Sequence, residues 1–345
     1  MKPALLNWLV CPQCKGALTL RAPAEGKEIE AGDLDCSVCR AAYPIVRGVP
    51  RMLFGELAKD KERTASAFGY EWTHFTELTD QYRQEFLEWI EPVQPEFFRD
   101  KVILDAGCGK GRHAELSARF GAREVIAVDL SDAVESAYAN TRNLPNVHVV
   151  QGDIYHLPFL RPFDYAYSIG VLHHLPDPGR GFASVCSHLK TGGRVSAWVY
   201  GAEGNGWIAR FIDPLRIHVT SRAPKWITRA VSFLFALPLY VGLKLVYGPA
   251  SSRPGLRKHL FYSDYLCAIS NYSFAENYWN VFDHLVAPTA FYLRRDEVEA
   301  WFRGGAFHEV EIAQHHGNSW RATATVTDVA APAAPDLHAA PEKVR

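Results

Sequence analysis

Two patterns in this chain have the residue types and spacing that chemistry needs. The first is a pair of CxxC turns, Cys11/Cys14 and Cys36/Cys39. Each turn can aim two thiolates at one point, and together they supply four sulfurs for a tetrahedral zinc ion. The 21 residues between the pairs, 15–35, slightly exceed the roughly 15–20 usual in such ribbons. Four protein sulfurs leave no open coordination position, so the predicted role is structural. The remaining cysteines, Cys108, Cys186 and Cys267, are scattered and make the count seven, which argues against a secreted disulfide framework. A redox CxxC would need one pair only, within a βαβ unit.

The second pattern is Asp105-Ala106-Gly107-Cys108-Gly109-Lys110-Gly111-Arg112, directly after an apolar run at 102–104. Glycines there let the backbone turn sharply and approach a ligand closely. A dinucleotide fingerprint would need glycine where Arg112 stands, so a nicotinamide cofactor is disfavoured. Acids recur at a fixed interval: Asp129 ends the next apolar run and Asp153 the one after, each 24 residues beyond the last.

The elements that must hold these acids are short apolar strands at 102–104, 125–128, 147–150, 165–169 and 195–199, separated by helical lengths. That alternation predicts a mostly parallel α/β sheet with helices on both faces, binding its ligands at the carboxyl ends of the strands. Residues 309–313 and 321–326 predict an antiparallel closing hairpin. Residues 295–302 predict a helix that lacks a Ser or Thr N-cap and relies on Asp296 and Glu297 for first-turn charge. Before the sheet, 56–98 carries aromatic residues at helical spacing and reads as one or two linking helices. After it, the Ala/Pro-rich 329–345 reads as a disordered tail. The domain boundaries expected are 1–55, 56–98, then 99–200 with 285–328, interrupted by a helical insert at 201–284.

The whole chain has 345 residues, 48% hydrophobic and 22% charged, with net charge −1. It can bury a core and is not globally basic. The insert hides an asymmetry: 205–260 holds nine Lys and Arg against one acid, Asp213. It also contains thirteen uncharged residues at 231–243, too short to span a bilayer and interrupted by Pro238. Three readings stay open: a helical lid, a membrane-surface segment, or a packing surface. The first ten residues are too short and interrupted for a signal peptide. The expected location is cytoplasmic, or peripheral at the inner membrane surface.

The residues beside the cysteines, Cys11-Pro12-Gln13-Cys14-Lys15-Gly16 and 43–50, resemble the small zinc-ribbon proteins that hold and activate tRNA and release-factor methyltransferases. Asp105-x-Gly107-x-Gly109, Asp129, Gly152-Asp153-Ile154 and Gly170-Val171-Leu172-His173-His174-Leu175 resemble the ordered motifs of class I S-adenosylmethionine-dependent methyltransferases. The last string is similar to that of ubiquinone/menaquinone-type enzymes. The resemblance implies a Rossmann-like sheet and S-adenosylmethionine as cofactor. Gly107, Gly109 and Gly111 would form the loop under methionine, with Asp105 orienting it. Asp129, with Leu130 beside it, would bind ribose. Asp153 and Ile154 would hold adenine, and the Ser168 backbone would face methionine.

Methyl transfer needs a general base only if the acceptor must lose a proton. His173, after the fourth strand, and His284, in the pair Asp283-His284, are the candidates. His174 is expected to point elsewhere, and His315-His316 to be solvated in a hairpin turn. Tyr70 and Trp72 either cover the cofactor or join the modules. The acceptor expected is small, apolar or lipid-linked. Nucleic acid is not expected, because no Asn/Asp-Pro-Pro-Tyr/Phe string follows the fourth strand. An RNA or protein methyltransferase and a non-catalytic cofactor-binding scaffold are the alternatives.

Overall fold

A computed structural model describes residues 1–22, 28–78 and 81–327; the tail expected at 329–345 lies outside the described residues. Four short strands open the chain: β1 (Leu18–Arg21), β2 (Gly32–Cys36), β3 (Ala42–Val46) and β4 (Val49–Met52). Helices α1 (Lys59–His74) and α2 (Gln81–Ile90) follow. Then β and α alternate through β5 (Val102–Ala106), α3 (Arg112–Arg119), β6 (Glu124–Asp129), α4 (Ala133–Thr141), β7 (Val147–Gly152), β8 (Phe163–Ile169), α5 (Pro178–Cys186) and β9 (Leu189–Tyr200).

With β10 (Phe307–His315) and β11 (Ser319–Val326), these strands form one sheet of eleven, in the order β1-β2-β3-β4-β7-β6-β5-β8-β9-β11-β10. Its centre is parallel. The closing hairpin, β10 and β11, adds antiparallel to β9. All five strands expected from the apolar runs are present, each lengthened by a residue or more except at the ends where glycine or a turn stops it. The Rossmann-like α/β sheet is therefore as the alternation implied.

The cysteine module continues this sheet. Arg51 and Met52 of β4 pair in parallel with Gln151 and Gly152 of β7. Strand alternation divides the core between two faces. Leu104, Ala106, Ile126 and Val128 pack on one side with Leu5, Trp8, Tyr43 and Ile45 of the module. Ile103, Val125 and Ala127 pack on the other with Phe86 and Ile90 of α2. Trp8 stacks on Phe163 with centroids 5.7 Å apart, and Lys15 Nζ donates to the Leu157 carbonyl at 2.7 Å.

The insert is helical. Its main elements are α6 (Lys225–Gly242) and α7 (Phe274–Val286). Pro238 does not break α6, contrary to the expectation: the helix runs on to Ser251, 27 residues in all. A proline removes one hydrogen bond and crowds one carbonyl; here π-helical geometry over Leu243–Tyr247 follows within the same rod. A capping box starts α7, with Ser273 Oγ accepting from the Glu276 amide and Glu276 accepting from the Ser273 amide. Helix α8 (Arg295–Ala300) is two residues shorter than expected. In place of a Ser or Thr cap, Glu297 accepts from the Arg294 amide at 2.8 Å.

Candidate functional site

The loop between β5 and α3 is where the sheet opens. Gly107 has φ 95°, and a Cβ there would fall 2.3 Å from Val171 Cγ2, so only glycine lets the loop pass beneath the segment after β8. Asp129, at the tip of β6, ties the loop down. Its Oδ2 accepts from the Gly109 amide at 2.9 Å, and its Oδ1 accepts from Ser131 N and Oγ at 2.8 and 2.7 Å. Burial pushes its carboxyl upward, while these donors pull it back.

Gly107, Gly109, Asp129, Leu130, Asp153 and Ile154 all line one cavity of about 260 Å³ at the carboxyl ends of the strands. Three other residues implied by the resemblance do not line it. Asp105 is 1% exposed beneath the loop, one carboxylate oxygen has no partner among the described residues, and burial raises its pKa to about 8. Gly111 caps α3 against Ala137. The Ser168 hydroxyl donates to the Ala106 carbonyl at 2.8 Å, locking the ends of β8 and β5 together.

Sequence reasoning missed Lys61. It comes from α1, is 7% exposed, and its ammonium donates to Asp153 Oδ2 and lies 4.1 Å from the Tyr155 ring centroid. Burial works against the Asp153 carboxylate, but hydrogen bonds from His156 and Lys61 and the lysine charge outweigh it and bring its pKa down to about 2. Trp72 lies over the loop, its Nε1 3.3 Å from where a Gly109 Cβ would stand. Tyr70, its companion in the sequence argument, instead stacks on His74 and packs with Phe282.

Of the two histidine candidates, His284 lines the cavity and His173 does not. His173 is fully buried, neither ring nitrogen has a partner among the described residues, and it is absent from the cavity wall. It packs its ring 4.0 Å from that of Tyr200, and burial holds its pKa well below the usual imidazole range. His174 lines the cavity instead, with Nδ1 2.6 Å from the Thr289 carbonyl. The two are neighbours in the short 3-10 turn Leu172–His174, and that turn decides which faces inward. His315 and His316 also line the cavity, and His315 is buried rather than solvated.

Acidic residues also line the cavity. Asp283 and His284 project from α7 and Glu71 from α1. Asp283 Oδ2 accepts from the Tyr200 hydroxyl at 3.2 Å, while its Oδ1 and Glu71 Oε2 have no partner among the described residues. Burial raises both carboxyls above their ordinary range, and the Asp283 charge raises Glu71 further. His284 stacks on Tyr200 with centroids 5.4 Å apart and is lowered to about 4 by burial. The pair was legible only as two adjacent polar residues; the sequence did not show that α7 would turn them toward the glycine loop.

The four cysteine sulfurs lie within 4.8 Å of one another. Cys11 and Cys39 are 3.6 Å apart and Cys14 and Cys36 3.5 Å. Tetrahedral zinc with sulfurs at about 2.3 Å requires sulfur–sulfur separations of about 3.8 Å, so the cluster fits the ion. Backbone amides of Val38 and Cys39 aim at Cys36 Sγ at 3.4 and 3.5 Å, which suits a thiolate.

Comparison with known proteins agrees with both modules. Residues 103–193 match the family model for a methyltransferase domain and residues 2–48 that for a Trm112p-like protein. A tRNA U34 carboxymethyltransferase of Pseudoalteromonas translucida is 29% identical over 130 residues, 35% of this chain and 39% of that protein. A trans-aconitate 2-methyltransferase of Deinococcus radiodurans is 39% identical over 98 residues, 28% of this chain and 37% of that protein. Among solved structures, an S-adenosylmethionine-dependent methyltransferase from Mesorhizobium loti is 28% identical over 30% of this chain and 48% of its own, with TM-score 0.28. A complex between the Haloferax volcanii Trm112 methyltransferase activator and a putative methyltransferase is 14% identical over 76% of this chain and 95% of its own, with TM-score 0.45. The chain spans less than two fifths of the length of these curated relatives. Because relatives named for tRNA recur among the matches, the expectation of a small or lipid-linked acceptor rather than nucleic acid does not stand. The finer likeness to ubiquinone/menaquinone-type enzymes gains nothing from these names.

Proposed function

We propose that the chain transfers the methyl group of S-adenosylmethionine to a nucleophile carried by RNA, in the cavity between the glycine loop and α7. The observation that carries the reading is the convergence of the Gly107–Gly109 loop, Asp129 and Asp153 on one cavity that Asp283 and Glu71 also line. When bound, the cofactor supplies the activated methyl and its leaving group for an in-line displacement. The rest falls to the residues of this chain.

Ionised carboxylate oxygens offer about four acceptor positions. Loop and Ser131 donors orient the Asp129 carboxylate, which lines the cavity where a ribose hydroxyl would sit. Leu130 and Ile154 offer apolar faces to an adenine ring. Asp105 and Ser168 act from behind, fixing the loop and the strand ends. Cys108, 3% exposed with its thiol pushed far up by burial, takes no part as a nucleophile.

Asp283 takes the acceptor's proton. Its Oδ1 is free, its Oδ2 is fixed by Tyr200, and its raised carboxyl makes it a stronger base than an ordinary aspartate. Glu71 opposite it accepts a further N–H or O–H. Phe68, Trp72 and Trp279, which also line the cavity, offer ring faces on which a base can stack. Alignment of acceptor and methyl by such a wall is worth up to about 7–11 kcal/mol of barrier. The names of the relatives support RNA as the acceptor class.

Incubation of the purified chain with methyl-tritiated S-adenosylmethionine and total cellular RNA tests the reading. Nuclease-sensitive label in the acid-precipitable fraction is expected. Label found only in added protein, lipid or small-molecule extract overturns the acceptor assignment.

A further inference from the structure

Helix α6 and its continuation to Ser251 are amphipathic in an inverted sense. The stripe that packs on the protein is small: Thr228, Ser232 and Ala236 are buried, and the helix lies against α7. The opposite stripe is large and apolar. Trp226, Leu234 and Leu245 are 70%, 72% and 73% exposed, and Phe233, Leu237 and Val241 stand between them. At 100° per residue, positions 226, 230, 234, 237, 241 and 245 share one side of the rod. A helix serving only as part of a water-soluble core buries such residues and exposes its serines and threonines.

Cations flank this stripe in the sequence. No charged residue interrupts it between Arg229 and Lys244. Arg210, Arg222, Arg229, Lys244, Arg253 and Lys258 are exposed and form no ion pair among the described residues. The one acid of 205–260, Asp213, is spent on buried Arg216. We infer that the exposed face of the helix Lys225–Ser251 seats the protein on an anionic lipid surface, with the helix in the plane of the headgroups.

Charge and shape select this occupant. Basic residues flanking a stripe of Trp, Phe and Leu are what an interfacial helix needs: rings and aliphatic chains enter the headgroup boundary while cations meet lipid phosphates. RNA would use the cations and leave the apolar stripe in water. A second copy of the chain would bring the same surplus of positive charge against itself. By length and composition the helix could cross a bilayer, but its small-residue stripe is held along the protein. Thr220 Oγ1 donates to the Leu285 carbonyl at 2.6 Å, and Thr228 Oγ1 to the Thr220 carbonyl at 2.8 Å, so the start of the rod is tied to the end of α7, along which the rod packs. The inference does not depend on which acceptor is methylated.

Sedimentation with vesicles is the test. The full chain is expected to pellet with phosphatidylcholine vesicles containing one third phosphatidylglycerol, to pellet much less as salt rises, and to stay in solution with phosphatidylcholine alone. Leu234→Asp combined with Leu245→Asp, both at exposed positions, is expected to abolish pelleting while circular dichroism and binding of S-adenosylhomocysteine stay unchanged. A wild-type chain that remains in the supernatant with anionic vesicles at low salt overturns the inference. So does a wild-type dimer that this double substitution splits without any vesicle binding, or a basic face that binds RNA and not vesicles.

Discussion

The ammonium of Lys61 and the carboxylate of Asp153 form a buried ion pair that ties the helix before the sheet to the tip of its third parallel strand. Their side chains are 8% and 11% exposed, so water screens the pair little. It holds α1, with Trp72, over the glycine loop. The helix that lines the candidate cofactor site is thus clamped from the sheet itself.

Removing one partner of such a pair strands the other. Lys61→Met is expected to destabilise the chain by about 3–5 kcal/mol, read as a lowered urea midpoint. The pH dependence has a definite sign. Asp153 is depressed to about 2 from 3.8, so its contribution is fully present above the ordinary aspartate pKa and is lost as pH falls through about 2. Asp153→Asn is expected to flatten acid unfolding across that window; an unchanged acid limb would count against the pair.

Asp129 should matter to cofactor affinity more than to folding. Asp129→Ala removes a charge-assisted acceptor, typically worth about 1.5–3 kcal/mol, or roughly 10–100-fold in affinity. Calorimetry with S-adenosylhomocysteine checks this, and a silent substitution would remove Asp129 from the ribose role.

The acid limb of turnover should belong to Asp283. A base must be ionised, and burial raises this carboxyl, so the rate is expected to fall with decreasing pH well above the ordinary carboxylate value near 4. Asp283→Asn should lower kcat and erase that limb while cofactor binding persists. Retention of the limb in Asp283→Asn would transfer the role to another group.

One zinc ion per chain is expected by elemental analysis of protein purified without chelator, held by Cys11, Cys14, Cys36 and Cys39. Its removal should melt the module, because binding energy in such ribbons is folding energy, and should uncover the β7 edge that β4 covers. Protein free of zinc yet with an intact module would refute the site.

The parallel-sheet strands and the acids Asp105, Asp129 and Asp153 were legible because they depend on local pattern: apolar runs of strand length, the first three each followed closely by an acid. The zinc ligands were legible for the same reason, since CxxC geometry is set within four residues. What the pattern lacked was relative orientation. His173 and His174 are chemically identical neighbours, and one short turn sends the first into the core and the second into the cavity. Lys61 lies 92 positions from Asp153, so no local spacing announces the pair. Pro238 marked a helix end by its intrinsic preference, and the surrounding rod overrode it.

The most direct test of the central claim is a calorimetric titration of the full chain with S-adenosylhomocysteine, for wild type and for Gly107→Val, which drives a side chain into Val171. One binding event per wild-type chain, abolished in a folded Gly107→Val, is the expected result. A wild-type chain that gives no binding heat at any temperature, with its zinc module intact, would contradict the assignment of this cavity to the cofactor.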